Sequence, residues 1–349
     1  MKERLLLALA CCVCLILMVT GLPFLTASGR AEAKPIELKL ASYHPATGVS
    51  VHDVLEPWSK MVEKRTGGKV KFTIYPGKAL LQPEEAFDGA VSGIADISHG
   101  SAPHTPGRFP LTESISLPFL GLTSATHATK VLWGLYKTFP EIRAEWKQAH
   151  LLWLFGWAPF QLHSKSPVRK IEDMKGMKIR IPGTFARTIK VFGATPVTMP
   201  GSEVYPALQK GVVDGNFHDF QGFHSYREGE VTKYTTIMNL LCGVFFVVMN
   251  HDSYNRLPAD IRQAIDELSG EWAALNIHAA NWDKREKEYI AEAKAMTHRE
   301  IIYLSDAELE RAREVSRPVW DKWVADMEAK GFPGRKIVEK AVSLKNEFK

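Results

Sequence analysis

The chain has 349 residues, which at about 150 residues per domain favours two domains and excludes a mini-protein needing disulfide or metal staples. Hydrophobic residues make up 45% and charged residues 24%, with 25 glycines and 20 prolines spread along the chain, so neither a disordered chain nor a collagenous or coiled-coil rod fits. The 44 Lys and Arg only slightly exceed the 39 Asp and Glu, and no block of like charge concentrates the excess, which argues against a nucleic-acid footprint.

Met1 to Arg4 form a short head ending in a base, Leu5 to Leu25 run almost without polar atoms, and Ala31-Glu32-Ala33 precede Lys34. This order reads as a secretory signal peptide, residues 1–33, cut after Ala33; the alternatives are an uncleaved membrane anchor or lipidation of a leader cysteine. Cys11, Cys12 and Cys14 leave with the leader, and Cys242 remains. A lone thiol closes no internal disulfide, so export without disulfides points to a bacterial periplasm and a fold held by core burial.

Beyond Lys34 short strands and helices alternate. Ile36 to Ala41 alternates with period two, and Val54, Leu55, Trp58, Met61 and Val62 follow helical spacing up to Gly67-Gly68. Val70 to Tyr75 is a strand stopped by Pro76-Gly77, a helix starts near Pro83, and a strand covers Ala95 to Ser98. Strand, helix, strand, helix, strand predicts a parallel sheet with right-handed crossovers.

A second series follows helices around residues 124–147 and an apolar strand from Leu151 to Phe155. Its strands are expected at Phe160–Ser164, Lys178–Ile181, Pro196–Met199 and Val212–Phe217, with helices at Thr184–Phe192 and Glu203–Lys210. Gly243 to Met249 reads as a further buried strand. The stretch from Pro258 to Met296, apolar every three or four residues, reads as one long helix tying two α/β domains together. A strand at Glu300–Leu304 and helices at 306–329 and 334–347 complete the chain.

No catalytic signature appears: there is no G-x-G-x-x-G, G-x-x-x-x-G-K-[ST], H-E-x-x-H or G-x-S-x-G. The twelve histidines are scattered, and none pairs with Cys, Asp or Glu at a metal-binding spacing, so no metal and no cofactor is expected. His218-Asp219 with His224 comes nearest, but neighbours on a strand point to opposite faces.

Residues 171–221 carry a resemblance. Ile171-Glu172-Asp173-Met174-Lys175-Gly176-Met177-Lys178-Ile179-Arg180-Ile181-Pro182-Gly183, Gly193-Ala194-Thr195-Pro196-Val197, Ser202 to Gln209 and Gly211-Val212-Val213-Asp214-Gly215 resemble, in order and spacing, the DctP-type substrate-binding proteins of TRAP (tripartite ATP-independent periplasmic) transporters. Gly93 to Asp96, Phe109-Pro110, Leu117 to Leu120 and Val248-Met249-Asn250 before Leu257-Pro258 extend it over nearly the whole chain after the leader. The resemblance implies a two-lobed periplasmic binding protein fold with a long helix spanning both lobes. Lobe I takes residues 34–157 plus 244–285, and lobe II takes 158–243 plus 286–349. It implies a monomeric receptor, not an enzyme, that closes on an organic acid and passes it to the small and large subunits of a membrane permease. An ABC-type binding protein, a ligand sensor and an exported enzyme are the rival readings.

The resemblance also assigns the site. Arg180 is the arginine of the K-x-R-x-P-G block and forms the two-pronged salt bridge to the ligand carboxylate, which a planar guanidinium suits. His218, three residues after Gly215, is expected to be a neutral hydrogen-bond donor, with Phe220 as an aromatic wall. Tyr43, Gln82 and His99 map onto loops lining the cleft. Phe160 stands where sialic-acid-binding relatives carry a second arginine, so a smaller or more apolar acid is expected, aromatic or branched.

Overall fold

The computed structural model describes residues 34–348, so the leader readings lie outside the described residues. Two sheets organise the chain. The first has strand order β2-β1-β3-β10-β4, comprising β1 (Ile36–Ser42), β2 (Val70–Tyr75), β3 (Ile97–Ser101), β4 (His150–Gly156) and β10 (Val244–Met249). The second runs β11-β9-β5-β8-β6-β7, from β5 (Gln161–Ser164), β6 (Lys178–Arg180), β7 (Thr195–Val197), β8 (Gly215–His218), β9 (Tyr234–Ile237) and β11 (Glu300–Tyr303).

The all-parallel expectation fails at the crossings. β1, β2 and β3 are mutually parallel, but β10 lies antiparallel to both β3 and β4. In the second sheet β5 lies antiparallel to β8 and β9. The reason is connectivity: the chain leaves the first sheet after β4 and re-enters at β10, and these two passages pair with each other. Trp157 N donates to Gly243 O, Phe160 N to Leu241 O and Leu240 N to Phe160 O, at 2.9–3.1 Å. β10, Val-Phe-Phe-Val-Val-Met, is buried at every residue, as a central strand covered on both faces must be.

Local signals place the helices. Glu56–Arg65 ends at Thr66-Gly67-Gly68, where both glycines have positive φ (61° and 78°). Ser124 caps Ala125–Thr138 by accepting from His127 N, and Ser305 caps Asp306–Glu328 by accepting from Glu308 N. Around Trp58, Trp146, Phe87 and Phe109 the first core is dominated by rings, with Phe109 stacked on Trp146 at 3.9 Å.

The tying helix is shorter than its periodicity suggests. Ala259–Glu267 ends at Leu268-Ser269, Gly270 takes φ +66°, and a new helix runs through residues 270–295, with a π-helical turn at Ala274–Ala279. Gly270, which breaks the periodic stretch, is the C-terminal signal that ends the first segment. The helix beyond it binds both halves. Asp283 accepts from the backbone N–H groups of Ala125 and Thr126, and one turn later Glu286 accepts from those of Phe220 and Gln221, all at 2.7–3.0 Å. Each carboxylate thus caps the start of a helix in a different half. Helix Gly334–Glu347 returns to the first half, where His127 Nε2 lies 2.9 Å from Lys345 O and Leu344 packs over Gly134.

Candidate ligand site

β6 and β8 are parallel neighbours whose register sets Arg180 beside Asn216. Alternation turns Ile179 into the core and Arg180 to the opposite face, where it is only 2% exposed. The guanidinium is held by its side edge: Nε and Nη2 both donate to Met199 O, at 3.0 and 2.9 Å, and Nη1 lies 3.4 Å from Asn216 Oδ1. That leaves the Nη1/Nη2 edge as the remaining fork, the geometry a carboxylate fits with two parallel bonds. Burial draws the Arg180 pKa down, opposed by the Glu228 carboxylate; an arginine keeps its charge all the same.

Asn216 and His218, two apart on β8, share Arg180's face and meet Glu228. Glu228 Oε1 accepts from Asn216 Nδ2 and from His218 Nδ1, both at 2.7 Å, and Glu228 is fully buried. Burial alone pushes its pKa up, but His218 and Asn216 outweigh that and hold it below the usual carboxylate value. A carboxylate only accepts, so the Nδ1 proton of His218 is committed to Glu228. What the ring keeps for a ligand is then its Nε2.

The facing wall comes from the first sheet and is made of rings. Tyr43 and His44 follow β1, His104 follows β3, and Phe245 lies on β10; Tyr43 meets His104 at 5.1 Å and His44 meets Phe245 at 5.2 Å. Burial holds His44 and His104 down at about 3, so both are neutral at physiological pH, and it pushes Tyr226 up to about 12, so its phenol keeps its proton. Trp157 and Phe160, on one of the two crossing segments, stack at 5.3 Å and close the pocket's end.

Between the walls lies an inner pocket of about 40 Å³, bordered by Arg180, His218, Phe160 and Tyr43. Tyr43, His104, Gly201 and Tyr226 form its neck and also border an outer vestibule of about 480 Å³, walled by Pro45, Pro83, Pro200 and Tyr205. Four expected site residues thus meet in one place.

Three others do not. Asp219 caps helix Phe220–Ser225 through Gly222 N, which ends the strand's alternation, so Phe220 turns away to pack on Phe223 and Ala293. His99 is fully buried behind Tyr43 and His44, with Nδ1 3.0 Å from Ser42 Oγ. Gln82 is exposed at the start of a short helical turn; its neighbour Pro83 borders the vestibule. The sequence reading missed His44, His104, Trp157, Tyr226 and Glu228. For Tyr43-His44 the signal was available, since both end the same strand.

The comparisons agree with this geometry. The chain is 27% identical to a solved TRAP solute-binding protein of Rhodoferax ferrireducens in complex with copurified benzoate, covering 90% of this chain and 98% of that one with a TM-score of 0.84. It is 28% identical to one of Bordetella bronchiseptica with bound (R)- and (S)-mandelate, covering 90% and 100% with a TM-score of 0.83. It is 28% identical to the 2,3-diketo-L-gulonate-binding periplasmic protein of Escherichia coli over 64% of this chain and 69% of that one. The model of bacterial extracellular solute-binding protein family 7, DctP, matches residues 40–326. The chain belongs to this family, the periplasmic solute receptors of TRAP transporters.

Proposed function

We propose that this receptor captures an aromatic monocarboxylate, gripping its carboxylate on the open edge of Arg180 while its body extends past the Tyr43 and Tyr226 neck into the vestibule. The observation that carries the reading is a buried guanidinium, anchored along its Nε/Nη2 edge, in a pocket whose other lining is mostly rings, with Ser101, Asp219 and Gln221 as polar exceptions. In so dry a site a charge-assisted pair is worth more than at a surface, and Glu228 keeps the empty site from holding an uncompensated cation. Phe160 argues in the same direction: a sugar acid would leave hydroxyls unpaired against it.

The lobes are read as 34–157 with 244–285 and 158–243 with 286–349, helix Gly334–Glu347 of the second packing on Ala125–Thr138 of the first. A ligand touching both walls binds the closed arrangement better than the open one, which is what drives closure. We further read the protein as a monomer exported by its leader, delivering the acid to the paired small and large permease subunits.

Mass spectrometry of whatever acid copurifies identifies the ligand, and titration calorimetry with that acid tests the grip. Arg180→Lys replaces a fork by a point charge and is expected to weaken binding at least tenfold, about 1.4 kcal/mol. Undiminished affinity removes Arg180 from the site, and steady turnover of the acid replaces the receptor reading by an enzymatic one.

A further inference from the structure

We propose that the captured acid carries an oxygen on the carbon next to its carboxylate, as a 2-hydroxy or 2-oxo aryl acid does, and that the Trp157 indole N–H is the donor that selects it. This rests on the carboxylate reading above and deepens it.

The observation is an inequality among the nine tryptophans. Seven of them donate their indole N–H to an acceptor within the protein, at 2.8–3.2 Å. Trp272 is 44% exposed, on the surface. Trp157 is 4% exposed, borders the inner pocket with Arg180, and its Nε1 is buried without a hydrogen-bond partner among the described residues. An indole nitrogen only donates, so what satisfies it must bring an acceptor.

The ring is also held against moving elsewhere. It stacks on Phe160 with planes 8° apart, meets Phe245 edge-on at 4.7 Å, and lies over Gly243 so closely that a Cβ there would stand 1.8 Å from Trp157 Cζ2. His104 Nδ1 borders the same pocket and is likewise buried without a hydrogen-bond partner among the described residues. A carboxylate set on the Arg180 fork by two parallel bonds is occupied along that edge, and Trp157 Nε1 is a further donor on the same pocket, for which we look to another oxygen of the ligand. The inner pocket's 40 Å³ admits few atoms beyond the carboxylate, so the extra oxygen belongs on the adjacent carbon, and the ring sits outside the neck.

The test is calorimetry on the purified protein with phenylacetate, mandelate and phenylglyoxylate, which differ only at that carbon. Wild type is expected to bind the two oxygenated acids at least tenfold more tightly than phenylacetate. Trp157→Phe keeps an aromatic ring and removes the N–H; it is expected to cost the two oxygenated acids at least tenfold more than it costs phenylacetate, so that the preference disappears. Equal wild-type affinities for the three overturn the inference and leave the carboxylate reading standing, and they decide the matter even if the variant fails to fold. A Trp157→Phe loss equal for all three acids also overturns it. If none of the three binds at millimolar concentration, the aryl-acid reading falls and takes this inference with it.

Discussion

The two walls of the pocket are built by opposite means. The second sheet contributes charge: Arg180, Asn216, His218 and Glu228 form one hydrogen-bonded chain around a buried cation and a buried anion. The first sheet contributes neutral rings, with His44, His99 and His104 all held uncharged by burial. A wall of fixed charge recognises what every carboxylate shares, whereas a wall of rings and neutral donors recognises what distinguishes one acid from another. Affinity and specificity are thus expected to separate by wall, and substitutions on each side test that division.

The largest effect is expected on the charged side. Glu228→Gln keeps the shape but removes the negative charge that His218 contacts at 2.7 Å and that offsets, at longer range, the buried charges of Arg180 and of Arg299. Breaking such a pairing costs about 3 kcal/mol of folding stability. Denaturant unfolding of the empty protein reads it, and saturating ligand is expected to recover part of the loss, because the bound carboxylate replaces the missing charge. A variant as stable as wild type would mean the charged wall is not a coupled unit.

This wall was partly legible in the sequence. Arg180 announces itself by standing between Ile179 and Ile181 in a block with family spacing, and register then brings Asn216 beside it. Glu228 was not legible: it follows a left-handed Arg227 (φ 55°) in an irregular segment, and nothing in a Tyr-Arg-Glu-Gly run says that the carboxylate folds inward. The strands of both sheets were readable from alternation, because half-burial writes itself into period two. Strand direction was not, since β5 and β10 reverse only because the chain crosses twice between the halves. Phe220 was misread for a local reason: Asp219 converts strand to helix one residue before it, and a period-two count carried across that cap puts the ring on the wrong side.

Acid is expected to act through the buried histidines of both sheets. His44, His104 and His163 are held at about 3 in the fold against about 6.5 unfolded, so between those values the unfolded chain binds more protons. Their contribution is fully present above pH 6.5 and is lost as pH falls toward 3. Two buried acids act in the opposite sense: Glu113, pushed up to about 8, and Glu145, to about 7, are protonated in the fold where the unfolded chain has ionised, so their contribution is lost as pH rises from 4.5 to 8. Stability is therefore expected to peak near pH 6.5, falling on the acid side by on the order of 1 kcal/mol per pH unit. Unfolding midpoints measured from pH 4 to 9 check this, and a peak at either end of the range would contradict the neutral burial of these histidines.

The smallest expected effects sharpen the boundary of the site. Phe220→Leu removes ring contacts with Phe223 and Ala293, so it should cost about 1 kcal/mol of stability, with affinity for the copurified acid changed less than twofold. Gln82→Ala should leave both unaltered. The polar contact that fixes this turn is made by the backbone N–H of Gln82, which donates to Glu85 Oε2 at 2.9 Å and survives the substitution. The vestibule surface here is Pro83, whose ring the variant does not touch. Calorimetry that finds Gln82→Ala weakening the copurified acid tenfold would mean that its side chain swings over the vestibule when the lobes close. The specificity wall would then extend beyond the rings to the loop that follows β2.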